Sequence, residues 1–582
     1  MENVELAAAL DEVADLLEIQ GANPFRVRAY RNAARFVRGY STPLRKLVAE
    51  GRDLTELPTI GADMAKYLAE LCQTGKLAVL EQLRSQVPPG LVEITQLPGV
   101  GPKRAQALWK ELQITDLEQL RQAALAGRVA ALRGFGDKTQ QKILQAIERR
   151  AGQQKRFLLA DADQIAAALR EHMAQAPGVD RLEMAGSWRR RKETVGDLDL
   201  LVTAAEPGPV MDHFTRWPSV AEVVQKGTTR TTVRLRSGMQ VDLRVVEPAA
   251  FGAALCYFTG SKEHNIRMRQ RALERGLRIS EYGVFELLEG EGGERREGRR
   301  VAGATEQEVY AAVGLPWIPP ELREDRGELE AAERGELPAL VELGDIRGDL
   351  QMHTRWSDGK NTLAEMVAAC LARGYAYMAV TDHSPSLAMT GGLDPAKLRR
   401  QWQEIERVAA DYPKIRILKS MEIDIRRDGS LDLADELLEQ LDVVLVSIHS
   451  YLELGMAEQT RRVLKALEHP RVHILAHPTG RRLGQREPMQ LDMDEVLHCA
   501  REHGVAVEAN AQPERLDLND VHLFRARELG VKVVISTDAH STADLDLMRY
   551  GVAQARRAWL TPKHVLNTLP PGRFLQALRR RR

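Results

Sequence analysis

Two aspartates separated by one residue stand at the start of an apolar run, a spacing that suits metal chemistry. Asp197 and Asp199 alternate with leucines in a segment that reads as a buried strand as far as Val202. Side chains at i and i+2 of a strand point to the same face, so both carboxylates enter one small volume. They repel each other there unless cations lie between them. The residues also leave open a capped turn with two solvated aspartates.

A third carboxylate strengthens the first interpretation. Residues 230–246 read as a β-hairpin with its turn at Ser237-Gly238, which places Asp242 on the returning strand. Three carboxylates can hold two Mg²⁺ ions about 4 Å apart, one activating an attacking oxygen and one stabilising a leaving phosphate. Nucleotidyl transfer depends on this positioning and charge neutralisation. Upstream, residues 186–191 add a hydroxyl and three arginines that suit a triphosphate.

These motifs resemble the palm of the family X DNA polymerases, the DNA polymerase beta-like enzymes. The resemblance rests on Gly186-Ser187, Arg190, the run Gly196-Asp197-Leu198-Asp199, and Asp242, and it covers residues 1 to about 318. It implies that the three aspartates are catalytic and bind metal, and that Ser187, Arg190 and Gly196 bind the incoming dNTP. One departure is Gln240, because the best-known member of the family has an arginine at this place beside the third aspartate.

A second segment, residues 257–275, resembles the part of the family that selects the nucleotide. The resemblance implies that five residues check the sugar and the nascent base pair: Tyr257, Phe258, Gly260, Asn265 and Arg269.

The composition favours an intracellular enzyme of several domains. The 582 residues exceed the size of one core, and the four cysteines are far apart, which is typical of a reducing compartment. No leader-like N-terminus and no apolar run of 18 residues occur. The net charge is zero, but residues 101–150 carry ten basic against five acidic side chains, which favours DNA binding there. We expect a cytoplasmic, nucleoid-associated monomer without membrane contact.

The N-terminal region reads as helical and suited to DNA. Residues 6–19 form an amphipathic helix, and the next segment interleaves basic and aromatic side chains, among them Arg26, Arg28 and Tyr30. Such a mixture suits a phosphate and a stacked base, although exposed arginines on a helix explain it equally well. Similarity to the small N-terminal domain of the family implies binding of a 5′-phosphate at a gap.

Three glycine-containing turns recur between helices within about 80 residues. Each precedes a helix, so its backbone N–H groups can face a phosphate. The turns resemble helix-hairpin-helix motifs, which bind the DNA backbone without reading sequence. The predicted DNA contacts in them are Gly61, Gly99, Gly101, Lys103, Arg104, Gly134 and Gly136.

From residue 346 onwards, seven short apolar runs alternate with helical stretches of about ten to eighteen residues. This rhythm predicts a parallel barrel related to the eight-stranded TIM type, in which reactive residues follow the carboxyl ends of the strands. Imidazoles and carboxylates cluster at these ends: His353, Asp358, His383, Glu422, His449, His477, Asp538 and His540. Such mixed ligands suit Mn²⁺ or Zn²⁺ better than Mg²⁺ alone, and metal-activated water is then the nucleophile against a phosphodiester.

The phrases Thr381-Asp382-His383-Ser384, Ala476-His477-Pro478 and Thr537-Asp538-Ala539-His540 resemble the polymerase and histidinol phosphatase (PHP) family. In bacterial family X polymerases this domain is associated with 3′–5′ exonuclease activity. The family usually begins with His-x-His, whereas this chain has Gln351-Met352-His353. An amide oxygen is a weaker donor than imidazole, so we expect one metal position to be weakened but not lost.

The predicted fold is multidomain, α+β and α/β, with a helical helix-hairpin-helix N-terminal region, a nucleotidyltransferase palm and a seven-stranded TIM-like PHP barrel. The predicted divisions are 1–85 (5′-phosphate and DNA binding), 86–150 (helix-hairpin-helix), 151–247 (palm), 248–318 (nucleotide selection), 319–344 (linker with one short helix) and 345–582 (PHP).

The predicted function is gap filling in DNA repair by a DNA-directed DNA polymerase with a 3′–5′ exonuclease. The expected partners are gapped or primer-template DNA and dNTPs, with Mg²⁺ at the polymerase site and Mn²⁺ or Zn²⁺ at the PHP site. Two alternatives stay open: a template-independent nucleotidyltransferase, and a DNA-binding scaffold with an inactive PHP domain.

Overall fold

The computed structural model of the chain describes residues 1, 3–40, 44–57, 59–95, 97, 99–151, 156–289, 295–387 and 390–578. It divides into two compact units, 1–185 with 194–248, and 186–193 with 249–582. The four arginines at 579–582 and the prolines at 58 and 98 lie outside the described residues. Among the described helices, none combines the length and apolar character needed to span a bilayer.

The first unit begins with helices around a shared apolar core. On the first helix, Leu6, Leu10, Val13 and Leu17 form the predicted buried stripe. The helices of this region are α1 (Asn3–Gln20), α2 (Pro24–Gly39), α3 (Leu44–Ala49), α4 (Ala62–Thr74), α5 (Ala78–Gln86), α6 (Pro89–Thr95), α7 (Pro102–Leu112), α8 (Leu117–Leu125) and α9 (Asp137–Ala151).

The three predicted turns lead directly into α4, α7 and α9. In each turn a residue with positive φ stands two positions before the last glycine, namely Thr59 (66°), Gly99 (81°) and Gly134 (88°). The chain then enters the helix with its first N–H groups open to solvent, because Gly61 and Gly101 cap α4 and α7 without a side-chain hydrogen bond. This is the predicted helix-hairpin-helix geometry.

The rest of the first unit is a mixed sheet with flanking helices. Its five main strands have the order β2-β4-β7-β6-β5, in which only β4 and β7 are parallel. The elements from residue 157 to 245 are β1 (Phe157–Leu158), α10 (Leu159–Met173), β2 (Val179–Met184), α11 (Gly186–Arg189, in the second unit), β3 (Thr194–Val195), β4 (Asp197–Ala204), α12 (Pro207–Thr215), β5 (Val220–Lys226), β6 (Arg230–Leu235) and β7 (Gln240–Val245). The predicted hairpin is therefore β6–β7, and its turn lies at the predicted position.

The second unit continues with a small antiparallel sheet packed on helices, and then the barrel strands. The elements before the barrel are α13 (Phe251–Thr259), α14 (Lys262–Leu273), β8 (Leu277–Ser280), β9 (Gly283–Glu289), β10 (Arg295–Ala302), α15 (Glu306–Ala312) and α16 (Glu328–Glu333).

The barrel confirms the prediction of parallel strands, with one difference. The third predicted strand is interrupted at Ser420-Met421 and gives two short strands, so Glu422 begins a strand rather than following one. Parallel bridges between Met352 and Ala539 and between His383 and Glu422 join the sheet segments. The elements are β11 (Gly348–Asp349), α17 (Leu363–Ala372), β12 (Tyr377–Val380), α18 (Pro395–Asp411), β13 (Arg416–Lys419), β14 (Glu422–Asp424), α19 (Asp435–Leu438), β15 (Leu445–Ser447), α20 (Met456–Glu468), β16 (Ile474–Leu475), α21 (Met493–His503), β17 (Ala506–Asn510), α22 (Asp520–Leu529), β18 (Val533–Ser536), α23 (Met548–Arg557) and α24 (Pro571–Leu578).

The prediction of a linker at 319–344 is corrected by the structure. Leu322 and Leu329 are buried in one apolar cluster with Val309 from the preceding part of the unit and Trp559 from the barrel side. The segment does contain the one short α-helix predicted for it, α16. Its many charges predicted solvent exposure, but several of them are buried in ion pairs instead.

The most buried of these charges is Arg323, whose side chain is inaccessible to solvent. It bonds Glu306 at 2.6 Å and the carbonyl oxygen of Ile318 at 2.8 Å. Glu306 also receives both terminal nitrogens of Arg189, at 2.7 and 2.9 Å. Burial alone would raise the pKa of Glu306, but Arg189 and Arg323 hold it far below the ordinary value. The carboxylate is therefore charged throughout the working pH range.

We expect Arg323→Met to lower the free energy of unfolding of the second unit by about 3 kcal/mol, because buried polar partners lose their donor. The matched control is Arg334→Met. Arg334 pairs with Glu336 at the surface, with 59% of each side chain exposed, so we expect a change within about 0.5 kcal/mol. Denaturant unfolding measures both, and equal shifts in the two variants would contradict the prediction.

Candidate active sites

The first candidate site is formed by three carboxylates on the two parallel strands of the first unit. In the register of β4 and β7, Asp199 is paired directly with Asp242, and Asp197 with Gln240. Leu198 and Leu200 are fully buried on the other face, which turns the two aspartates of β4 to the same side. The structure thus brings together the three predicted catalytic residues.

The Asp242 carboxylate is held by three donors. Thr232, its partner on β6, donates its hydroxyl to Oδ1, and Gln240 donates its amide to Oδ2 at 3.1 Å. The guanidinium of Arg230 lies 3.4 Å from Oδ1. The amide of Gln240 therefore supports Asp242, and a positive charge reaches the carboxylate from the neighbouring strand. Sequence reasoning missed Arg230 and Thr232, although the hairpin places Thr232 opposite Asp242 and Arg230 two residues before Thr232 on the same strand.

The electrostatics of this cluster favour bound cations. Burial, followed by repulsion from Asp197 and Asp242, raises the pKa of Asp199 to about 7. Burial and repulsion from Asp242 also raise the pKa of Asp197. Hard oxygen donors that repel one another are a fitting ligand set for divalent cations, whose charge offsets the repulsion.

The predicted nucleotide-binding residues divide between the two units. Gly196 belongs to the first unit, whereas Ser187 and Arg190 belong to the second. Arg190 bonds Glu324 at 2.9 Å and the carbonyl oxygen of Thr259 at 2.8 Å.

The residues of the second unit that were predicted to select the nucleotide form one bonded group at the junction of α13 and α14. The amide of Asn265 donates to the carbonyl oxygens of Tyr257 at 2.7 Å and Gly260 at 3.3 Å. Arg269 donates to the carbonyl oxygen of Asn265, and the rings of Tyr257 and Phe258 meet edge to face. A Cβ at Gly260 would lie 2.5 Å from Oδ1 of Asn265, so a larger residue there would displace the Asn265 amide. Tyr257, Asn265 and Arg269 also border a small cavity of about 10 Å³.

The second candidate site is the cluster at the strand ends of the barrel. Seven of the eight predicted ligands form three overlapping groups, in which one donor atom per residue lies within 4.8 Å of the others. His353, His383 and Glu422 each belong to two groups. The groups are His353-Asp358-His383-His540, His383-Glu422-His449 and His353-Glu422-Asp538. His477 belongs to none of them, but its Nε2 lies 2.8 Å from Glu422.

The donors of this cluster fit divalent transition metals. Imidazoles and carboxylates alternate around Glu422. Burial alone would raise the pKa of the Glu422 carboxyl, but His383 and His449 hold it well below the ordinary value. Within the described residues, Nδ1 of His353 and Nδ1 of His477 are buried without a hydrogen-bond partner. Asp424, two residues after Glu422, orients His449 through bonds of 2.9 Å to its N–H and 3.3 Å to its ring. Sequence reasoning missed Asp424, although its i+2 spacing marks it.

Gln351 is fully buried beside this cluster and bonds Glu508. With the amide nitrogen facing Glu508, it donates to both carboxylate oxygens, one of them at 3.0 Å. Burial and the charge of Asp538 raise the pKa of Glu508 well above its ordinary value. The residue at the family's first histidine position therefore acts as a hydrogen-bond donor in this conformation.

Most of the residues predicted to contact DNA are exposed in the structure, but Tyr30 is buried. Arg26, Arg28, Lys103 and the turn glycines other than half-buried Gly136 are exposed. Tyr30 corrects the prediction, because its ring is 2% exposed and stacks on Tyr67 inside the helical core. Arg104 donates to the carbonyl oxygens of Gly99 and Gly134, so its guanidinium joins two turns.

Family models match four parts of the chain. They are a helix-hairpin-helix domain over 1–77, a SAM-like helix-hairpin-helix tandem over 91–149, the DNA polymerase beta thumb over 254–324 and a PHP domain over 349–511. The thumb match ends at 324 and not at 318, in agreement with the burial of the predicted linker.

Three known proteins show the extent of the similarity. The chain is 41% identical over 569 residues to "DNA polymerase/3′-5′ exonuclease PolX" of Bacillus subtilis, covering 97% of each chain. It is 26% identical over 343 residues to DNA polymerase lambda of Rattus norvegicus, covering 55% of this chain and 56% of the relative. It is 29% identical over 230 residues to a probable phosphatase of Syntrophotalea carbinolica, covering 38% and 90%.

The raised pKa of Asp199 predicts that the metal-free protein loses folding stability as the pH rises. A carboxyl with a raised native pKa stabilises the fold below its unfolded pKa of 3.8 and loses that contribution as the pH rises to about 7. We therefore expect Asp199→Asn to stabilise the chelator-treated protein at pH 8, by up to about 4 kcal/mol, and to change nothing near pH 3.5.

Thermal unfolding at the two pH values measures this effect. Asp180→Asn, a carboxylate at the exposed start of β2, is the control. An equal stabilisation by both substitutions, or one that persists at low pH, would contradict the prediction.

Proposed function

The chain belongs to the bacterial family X DNA polymerases that carry a C-terminal PHP domain, and from this membership we propose that it fills short gaps in DNA and trims 3′ ends. The observation that best supports polymerase activity is the pairing of Asp199 with Asp242 on parallel strands, with Asp197 beside them. The proposed partners are gapped or primer-template DNA and dNTPs. We propose a cytoplasmic monomer associated with the nucleoid.

In the proposed polymerase site, Asp197, Asp199 and Asp242 hold Mg²⁺, which when bound neutralises phosphate charge and lowers the pKa of the primer 3′-hydroxyl. Asp242 helps to activate the primer 3′-hydroxyl, and the donors Thr232, Gln240 and Arg230 keep its carboxylate oxygens in place.

The proposed nucleotide contacts lie in both units. Ser187, Arg190 and Gly196 bind the triphosphate, and Arg190 does so from a guanidinium already fixed by Glu324 and Thr259. The group around Asn265, which includes Tyr257 and Gly260, keeps the nucleotide-selecting surface rigid.

The proposed DNA contacts belong to the helical region. The exposed Arg26 and Arg28 on α2 bind a 5′-phosphate, and the open N–H groups that begin α4 and α7 bind the backbone. These contacts carry no sequence information, as gap filling requires.

In the proposed exonuclease site, the barrel ligands hold Mn²⁺ or Zn²⁺, which supplies an activated water and stabilises charge on the scissile phosphate. Asp424, by fixing His449, and Gln351, by bonding Glu508, keep the surrounding side chains in single orientations.

Asp242→Ala separates the two activities. Because Asp242 lies in the first unit and the barrel ligands lie in the second, we expect the loss of dNTP incorporation, at least a thousandfold, with 3′ digestion and DNA affinity within about twofold. The assay uses a one-nucleotide gap with Mg²⁺ and each dNTP singly, and digestion is measured with Mn²⁺ and no dNTP.

His353→Ala is the reciprocal control, which loses digestion and keeps incorporation. Loss of both activities in a folded Asp242→Ala protein would contradict the assignment of two sites. Incorporation that ignores the template base would favour the template-independent transferase, and absence of digestion in the unmodified protein would favour an inactive PHP domain.

Gln351→His tests the unusual residue of the barrel. The substitution replaces an amide that bonds Glu508 with a stronger metal donor at the family's usual place. We expect the Mn²⁺ concentration for half-maximal 3′ digestion to fall about tenfold or more, since each added strong ligand contributes at least this much affinity.

The control is Gln351→Leu, which keeps the volume and offers no donor, and we expect it to leave the Mn²⁺ requirement unchanged or higher. Manganese titration of digestion by the three proteins decides the matter. Superimposable curves for Gln351→His and the unmodified protein would contradict the prediction.

A further inference from the structure

Two consecutive arginines of the segment 186–193 are each held by a glutamate that also binds a second, deeply buried arginine. The first cluster is Arg189–Glu306–Arg323, described above. The second has the same form, because Oε1 of Glu324 accepts from Nε of Arg190 and from Nη1 of Arg557, both at 2.9 Å. Only the second cluster includes a residue of the barrel helix α23.

Arg557 is almost fully buried and makes two further contacts. Its Nη1 donates to the carbonyl oxygen of Arg190 at 2.7 Å, and its Nη2 bonds Asp520 at 2.6 Å. Its side chain is 2% exposed. Burial alone would raise the pKa of Glu324, but Arg557 and Arg190 hold it below the ordinary value. The Glu324 carboxylate is therefore charged and pairs with both Arg190 and Arg557.

The backbone next to Arg190 is held from the same helix. The amide of Gln554, one turn before Arg557, donates to the carbonyl oxygen of Arg191 at 3.1 Å. Arg191 has φ of 57°, a conformation that costs a non-glycine residue free energy and persists only where the surroundings impose it. Arg481, from the barrel, pairs with Glu193 through both terminal nitrogens. Thus barrel side chains hold the backbone of 190 and 191 and the side chain of Glu193. They reach the side chain of Arg190 through Glu324, which Arg557 also bonds.

Arg190 is the residue proposed above to bind the triphosphate, and among the described residues its guanidinium is oriented by contacts to Nε and Nη1. A guanidinium recognises phosphate through a planar fork, so its orientation decides its affinity. We propose that Arg557 and Glu324 are positioning residues of the polymerase, through which the PHP domain orients Arg190 toward the incoming dNTP. This inference rests on the proposed polymerase function and adds a role for the barrel in it.

Arg557→Lys is the decisive variant, because it keeps the charge and removes the fork that joins Glu324, Asp520 and the carbonyl oxygen of Arg190. We expect the KM for dNTP in gap filling to rise about tenfold, the loss expected for charged hydrogen bonds, with kcat within about twofold. We expect 3′ digestion to stay within about twofold. A protein that is only destabilised would lose active fraction, and therefore kcat, in both assays.

Arg556→Lys is the matched control. Arg556 is the preceding residue of α23, is partly buried and pairs with Glu321 at 2.7 Å, and it makes no contact with 186–193 among the described residues. We expect its KM for dNTP to be unchanged. Combining Arg557→Lys with Glu324→Gln should raise the KM by less than the product of the two single effects, because both act through one contact.

An unchanged KM in Arg557→Lys, an equal rise in Arg556→Lys, or a fall in kcat at constant KM would overturn the inference. Gln554→Met, which removes only the bond to the Arg191 carbonyl oxygen, repeats the test without touching a charge, and it too should raise the KM selectively. If the unmodified protein incorporates no dNTP, the proposed function itself fails, a result that is distinct from an unaltered KM in a working polymerase.

Discussion

Parallel pairing of neighbouring strands is the constraint on which both candidate sites depend. Parallel strands bring residues that are distant in sequence to the same edge with their side chains on one face. In the first unit this places Asp242 beside Asp199, with α12 and two strands forming the crossover between them. In the barrel it collects His353, Glu422 and Asp538, which come from three separate strands. Divalent cations would offset the repulsion between carboxylates that results, so the topology provides ligand sets suited to metal ions.

The parts of the fold that could be predicted are those in which local pattern and chemistry agree. The alternation of leucine and aspartate in β4 predicted both the strand and the face of its carboxylates, and the turn residues of β6–β7 placed Asp242 on the return strand. In the barrel, the positions of imidazoles after apolar runs predicted the cluster, because strand ends are where side chains can converge. Only the interruption before Glu422 differed, since a break of two residues leaves no periodic trace.

The features that could not be predicted depend on contacts between distant residues. Charge density suggested an exposed linker at 319–344, but Arg323 and Glu328 are buried because their partners, Glu306 and His264, arrive from elsewhere in the chain. The arginines around Tyr30 in the sequence suggested a contact with a DNA base, but in the structure its ring is buried and stacks on Tyr67. A helical period of 3.6 residues places Tyr30 opposite Arg28 but close to the face of Arg26, so the short segment does not reveal which face is buried.

The buried ion pairs of the second unit are better explained by geometry than by stability. Removing two charges from water costs about as much as their attraction returns, so an Arg–Glu–Arg cluster adds little net free energy of folding compared with apolar side chains of the same size. What it does supply is direction, because each hydrogen bond to a guanidinium holds in only a narrow range of angles. Arg189 and Arg190 are adjacent in sequence, and each is fixed by its own cluster. A flexible pair of surface arginines would lose side-chain entropy on meeting a phosphate, whereas a pair held in advance has already lost it during folding. The free-energy cost of burying these charges is therefore met on folding, and the proposed binding of a triphosphate at Arg190 would start from an oriented guanidinium.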